Sequence, residues 1–151
     1  MAKSTDTWRI VPLNEIGPIR FWYTRAEVKK ALGGKPTTFK RTPDSVSLTD
    51  TYKVGPHQVH VSYDAEDRCD LVEVSSAALG GPELDKRGFL RRPFARTLEW
   101  ARGLDPDLLS DRRSFASLRL GITASTASEL IDSVGAFREN YFDTLKRAYA
   151  H

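Results

Sequence analysis

The stretch GPIRFWYTRAEVKKALG, Gly17 to Gly33, decides how the rest of the chain is read. Thr24 followed three residues later by Glu27 predicts a capping box, in which each side chain satisfies a free backbone N–H at the other's position. A helix therefore starts here. Val28, Ala31 and Leu32 fall at i, i+3 and i+4 and predict a single apolar stripe. Gly33-Gly34 followed by Pro36 predicts the stop, after about nine helical residues. Just before the helix, Phe21, Trp22 and Tyr23 are consecutive, and three neighbouring rings cannot all face one core in extended or helical geometry. At least one is expected at the surface. Exposed Trp and Tyr beside Arg20 and Arg25 have the composition of a protein-binding hot spot. The competing reading packs Phe21 and Tyr23 inward and lays Trp22 over the helix start, with nothing bound there.

Downstream, the polar Thr-, Pro- and Lys-rich segment from Lys35 to Ser47 reads as a surface loop. Thr51, Tyr52 and Val54 form a β-rich run ended by Gly55-Pro56. Val59, Val61 and Tyr63 alternate with His60 and Ser62, the period of a half-buried strand. The run from Asp64 to Arg68 is then a turn, and Leu71, Val72 and Val74 form the partner strand of an antiparallel hairpin. In a strand His57 and His60 point to opposite faces and cannot share a metal. Asp64, Glu66, Asp67 and Asp70 lack the glycine and bidentate glutamate of a calcium loop and read as a solvated turn. Cys69, between acidic neighbours, is expected to have a raised pKa and to pack in the strand.

The second half echoes the first at an offset of about 70 residues. Gly88, Leu90, Pro93, Leu98, Ala101 and Gly103 stand where Gly17, Ile19, the helix start, Val28, Ala31 and Gly33 stood. Pro93 suits a helix's first turn, Phe94, Leu98 and Ala101 share a face, and Gly103 is the expected stop. Leu118, Leu120 and Ile122, then Val134 and Ala136, predict returning strands. A last helix is expected from Asn140 to Ala150, with Tyr141, Leu145 and Ala148 on one face. The fold class expected is α+β: two related helix-plus-antiparallel-hairpin units, residues 1–78 and 79–151, share a sheet and form one compact domain.

Composition limits function more weakly. The 151 residues, 40% apolar, supply a core for one domain or two small halves. With 23 basic against 20 acidic residues the formal net charge is +3, which permits nucleic acid as a partner without demanding it. No apolar run reaches signal-peptide or membrane-spanning length, so the expected location is cytoplasmic, away from membranes. One cysteine and three histidines offer no internal disulfide and no zinc site, and no cofactor is expected. Ser75-Ser76 and Ser125-Thr126 lack a nucleophile-elbow context, and the glycine pairs lack a phosphate-loop G-K-[ST], so no catalytic residue is assigned. Lys86, Arg87, Arg91, Arg92, Arg96 and Arg102, with Phe89, Phe94 and Trp100 between them, make the densest basic run. It suits a phosphate backbone with bases stacked on the rings, a connector whose rings enter the core, or an arm meeting an acidic protein patch.

Gly17-Pro18-Ile19-Arg20-Phe21, Thr24-Arg25-Ala26-Glu27-Val28 and Leu32-Gly33 with Pro36 together resemble the opening of β-lactamase-inhibitor-protein-like repeats. Trp22-Tyr23 stands where that pattern has Gly-Met. The resemblance implies helical elements packed on antiparallel sheets, in a tandem pair of units of about 75 residues. The whole-chain pattern also resembles small actinobacterial proteins of toxin-immunity type. The disulfides and signal peptide of the secreted inhibitor and the lipid-attached cysteine of the related lipoproteins are missing, so β-lactamase inhibition is not carried over. What the resemblance implies is a non-enzymatic, immunity-type inhibitor that occludes a toxin or other partner protein. Its contact residues would be Arg20, Trp22, Tyr23, Arg25, Arg91, Arg92 and Arg96. The alternative is a nucleic-acid-binding accessory protein using residues 86–102.

Overall fold

The computed structural model describes residues 8–45, 47–76, 78, 80–141, 147 and 149. The chain is mixed α+β, mostly β, with thirteen strands in two sheets and two helices among the described residues. In order they are β1 (Trp8–Val11), β2 (Glu15–Ile16), β3 (Ile19–Arg20), α1 (Arg25–Leu32), β4 (Thr37–Phe39), β5 (Thr49–Val54), β6 (His57–Tyr63), β7 (Cys69–Ser75), β8 (Pro82–Leu84), β9 (Arg87–Gly88), α2 (Phe94–Leu104), β10 (Leu109–Ser110), β11 (Ser114–Ser117), β12 (Ile122–Ser125) and β13 (Ser133–Phe137).

The larger sheet runs β10-β11-β12-β13-β7-β6-β5-β4, so two four-stranded meanders meet at an antiparallel β13–β7 pair, Ser133 opposite Ser75 and Phe137 opposite Leu71. Alternation puts Val59, Val61, Val72, Val74, Ile122, Ala124, Val134 and Ala136 on one face. There they join Val28 of α1, Phe94 and Ala101 of α2, and Ile16, Ile19, Phe21, Phe89 and Leu90 in one core. The smaller sheet, β3-β2-β1-β8-β9, closes that layer through a parallel β1–β8 pair. Trp8 is fully buried, and a Cβ on Gly17 would lie 2.8 Å from its ring, at a backbone φ of 56° that also favours glycine. On the opposite face Leu71, Ala116 and Phe137 form a small second cluster with Leu13, Tyr141 and Tyr149.

The capping box is present: Thr24 Oγ1 accepts from Glu27 N–H and Glu27 Oε1 accepts from Thr24 N–H, and Gly33 ends the helix at φ 76°. The 59–74 hairpin is also as expected, with Val59 opposite Val74 and Val61 opposite Val72. Four expectations change, and a fifth lies mostly outside the described residues. Ala31 is exposed, and the inward line of α1 runs through Arg25, Val28 and Leu32, because the helix lies on Asp50 and Tyr63 rather than on a purely apolar surface. The 35–47 segment is not all loop, since Thr37–Phe39 pairs with β5 as an edge strand. Gly103 lies inside α2, which ends at Asp105, whose carboxylate accepts from Asp107 N–H and from Ser117 Oγ–H. Leu118 to Gly121 is a turn rather than strand, closed by Gly121 N–H to Ser117 C=O, with Gly121 at φ 66°. The expected C-terminal helix lies mostly outside the described residues, and Glu139–Tyr141 is a single 3₁₀ turn. No helix among the described residues is long and apolar enough to cross a membrane.

Candidate interaction surface

Between β3 and α1 the chain must reverse while Phe21 stays fully buried. It does so by clamping onto the start of β7: Trp22 N–H donates to Cys69 C=O at 3.0 Å, and Cys69 N–H donates to Tyr23 C=O at 2.8 Å. The reversal places Trp22 at φ 90°, a region that a bulky L-residue enters only under strain. Its side chain consequently projects outward and is 59% exposed, the most exposed large hydrophobic among the described residues. The Arg138 guanidinium lies 4.2 Å from the Trp22 ring centre and is itself ion-paired to Asp64. Arg68 donates to Trp22 C=O at 3.2 Å. An apolar plate is thus held rigidly on a buried ion pair, and rigidity lowers the entropy lost on binding.

Beneath this plate the electrostatics are tight. Asp64 accepts the N–H groups of Glu66 and Arg68, so the acidic run is a hydrogen-bonded turn. Asp70 is buried, with Oδ1 unpartnered among the described residues, and burial, then the Asp64 charge, push its carboxyl up to about 6, against the pull of Arg138. The Cys69 thiol is driven far up, by burial first and by Asp70 second; it is a packed core group rather than a nucleophile.

The other residues singled out in the sequence are distributed unevenly. Arg20 is open, with a 71% exposed side chain and a 3.5 Å contact to Glu15. Tyr23 is half-buried against the core. Arg25 is an internal strut: it pairs with Asp50 at 3.1 Å and Asp67 at 3.2 Å, donates to Ser47 Oγ and Leu48 C=O, and lies 4.1 Å over the Tyr63 ring.

A second clamp of the same kind precedes α2. Arg91 N–H donates to Ile131 C=O at 2.7 Å, Ile131 N–H donates to Arg92 C=O at 2.8 Å, and Arg91 sits at φ 64°. Because β7 and β13 are antiparallel, the two clamps lie at opposite ends of the central pair, roughly 25 Å apart along the strands. Trp22 and Arg91 therefore do not share a patch. Arg92 and Arg96 are exposed. Between the cations, however, Phe89 and Phe94 are buried, and Trp100 packs edge-on to Phe89 with Arg87 over its face. Their rings are not presented to a base.

The sequence patterns do not single out Arg138 or the exposed cations Lys35 and Lys53. The only signal for Arg138 was one charge closing the apolar run Ser133 to Phe137. No protein-family model, no curated protein and no solved structure matches this chain.

Proposed function

We propose that this chain is a non-enzymatic protein-binding module of the immunity type, acting in the cytoplasm by occluding a partner protein such as a toxin with the Trp22 end of its larger sheet. The observation that carries this reading is Trp22 itself, 59% exposed, at φ 90° and seated on the Arg138–Asp64 pair. A strained backbone that exposes the largest apolar side chain lowers stability, and such arrangements concentrate at functional sites. Arg20 and Tyr23 flank it, while Arg25 supports the helix behind it. We further propose that residues 1–78 and 79–151 are related helix-plus-hairpin units. The paired clamps at Trp22–Cys69 and Arg91–Ile131, each directly preceding a helix, support that relation.

The test is a tagged pull-down from the source cells with and without nuclease, comparing the native chain, Trp22→Ala, and Arg92→Ala with Arg96→Ala. The expected result is one stoichiometric protein that survives nuclease, is retained by the arginine double variant and is lost with Trp22→Ala. Recovery of nucleic acid alone, abolished by the arginine double variant, overturns the reading in favour of the basic segment.

A further inference from the structure

At the end of the sheet away from Trp22, an open cleft of about 690 Å³ lies between Lys35 before β4, the β5–β6 turn, the end of β7 and the Arg91 turn. Lys35, Lys53 and Arg91 line it, against one carboxylate, Asp132. Among the described residues none of the three cations forms an ion pair, and Asp132 Oδ2 is already engaged by Ala127 N–H. Three cations from separate elements against a single carboxylate, in a concave site, focus positive potential there.

One wall adds a second, independent feature. His57 lines the cleft, is only 4% exposed, and among the described residues its Nδ1 has no hydrogen-bond partner. Burial holds its pKa below the ordinary imidazole value, so the ring is neutral near pH 7. Gln58 and Ser75 supply further neutral polar groups on the same lining. The space is of ligand-pocket size, where sites run from about 300 to 1,000 Å³, and exceeds what one phosphate fills.

We propose that this cleft binds a small molecule bearing two or more oxyanion groups, phosphates or carboxylates, held by Lys35, Lys53 and Arg91. The site is independent of the Trp22 surface, and either assignment stands if the other fails. The test is an NMR titration at constant ionic strength with two probes, pyrophosphate and citrate, to about 10 mM each. It uses the native chain, Lys53→Ala with Arg91→Ala, and Arg92→Ala with Arg96→Ala as a charge-matched control outside the cleft. Saturable shifts confined to the cleft, weakened about tenfold or more in the cleft variant and unchanged in the control, support the proposal. Preference for pyrophosphate or for citrate then identifies the oxyanion. No saturation with either probe, or equal weakening in the control, overturns it. The replaced cations make no ion pairs, and circular dichroism of each variant verifies the fold.

Discussion

If Trp22 is strained as its backbone indicates, glycine and alanine should exchange their usual order at this position. Both Trp22→Gly and Trp22→Ala remove the ring, so each loses the same partial burial and the same contact with Arg138, and these losses cancel in the comparison. What remains is the backbone. A Cβ at positive φ costs about 1–2 kcal/mol, and alanine keeps that cost while glycine does not. Glycine in turn gains about 0.5–1 kcal/mol more unfolded-state entropy. The difference favours glycine by about 0.5–1 kcal/mol, the reverse of what an ordinary surface site gives. For a chain of this length that is a Tm higher by about 2–3 °C for Trp22→Gly than for Trp22→Ala. Urea melts followed by circular dichroism, with equal slopes for the two variants, read the same difference as a midpoint shift. An alanine variant as stable as the glycine variant, or more stable, refutes the strained turn and removes the main support for reading Trp22 as a contact residue.

Four further perturbations test the surrounding fold. Asp70 titrates near 6 when folded and near 3.8 otherwise, so its cost is absent below pH 3.8, grows as pH rises between those values and is complete above 6. Asp70→Asn should therefore raise stability by on the order of 2 kcal/mol in melts at pH 7.5 and leave it unchanged at pH 3.5. Arg25→Ala strands the Asp50 carboxylate, whose side chain is 6% exposed, and should cost about 3 kcal/mol in denaturant melts, part of it restored by adding Asp50→Asn. Gly121→Ala should cost about 2–4 kcal/mol, since its Cβ at φ 66° would lie 3.0 Å from Leu13 N and 3.1 Å from Phe137 O, backbone atoms that cannot step aside. Gly103→Ala, inside α2 with nothing within 4 Å, should instead add about 0.5–1 kcal/mol by the same assay.

The elements legible in the sequence are those whose determinants are local. Thr24 and Glu27 meet within one helical turn, and Val59, Val61 and Tyr63 declare a strand face without reference to any partner. The errors fall where a distant residue decides. Ala31 looks like part of the apolar stripe until Asp50 and Tyr63 supply partners for Arg25 and turn the inward line of α1 toward Arg25 and away from Ala31. Leu118 and Leu120 alternate with polar neighbours as a strand would, but Gly121 fits against Leu13 and Phe137 and turns the chain there. The pairing of β1 with β8 joins segments more than seventy residues apart in sequence, and no pattern within either strand specifies it.

The candidate site divides along the same line. That one of Phe21, Trp22 and Tyr23 must be exposed follows from chain geometry alone. Which one follows from the clamp to Cys69, which buries Phe21, turns the backbone through positive φ at the next residue and so projects that residue's side chain away from the core. Glycine would meet the φ requirement of this turn without strain. A tryptophan there confers no advantage that folding explains: it retains the backbone cost, exposes most of its ring, and recovers only a cation–π contact worth about 0.5–1 kcal/mol at an open site. Arg91 occupies the matching turn before α2 at φ 64° and borders the cationic cleft. Both pre-helix turns thus place a large functional-type side chain where glycine would fold better, and both do so beside the surface features from which the two binding proposals are drawn.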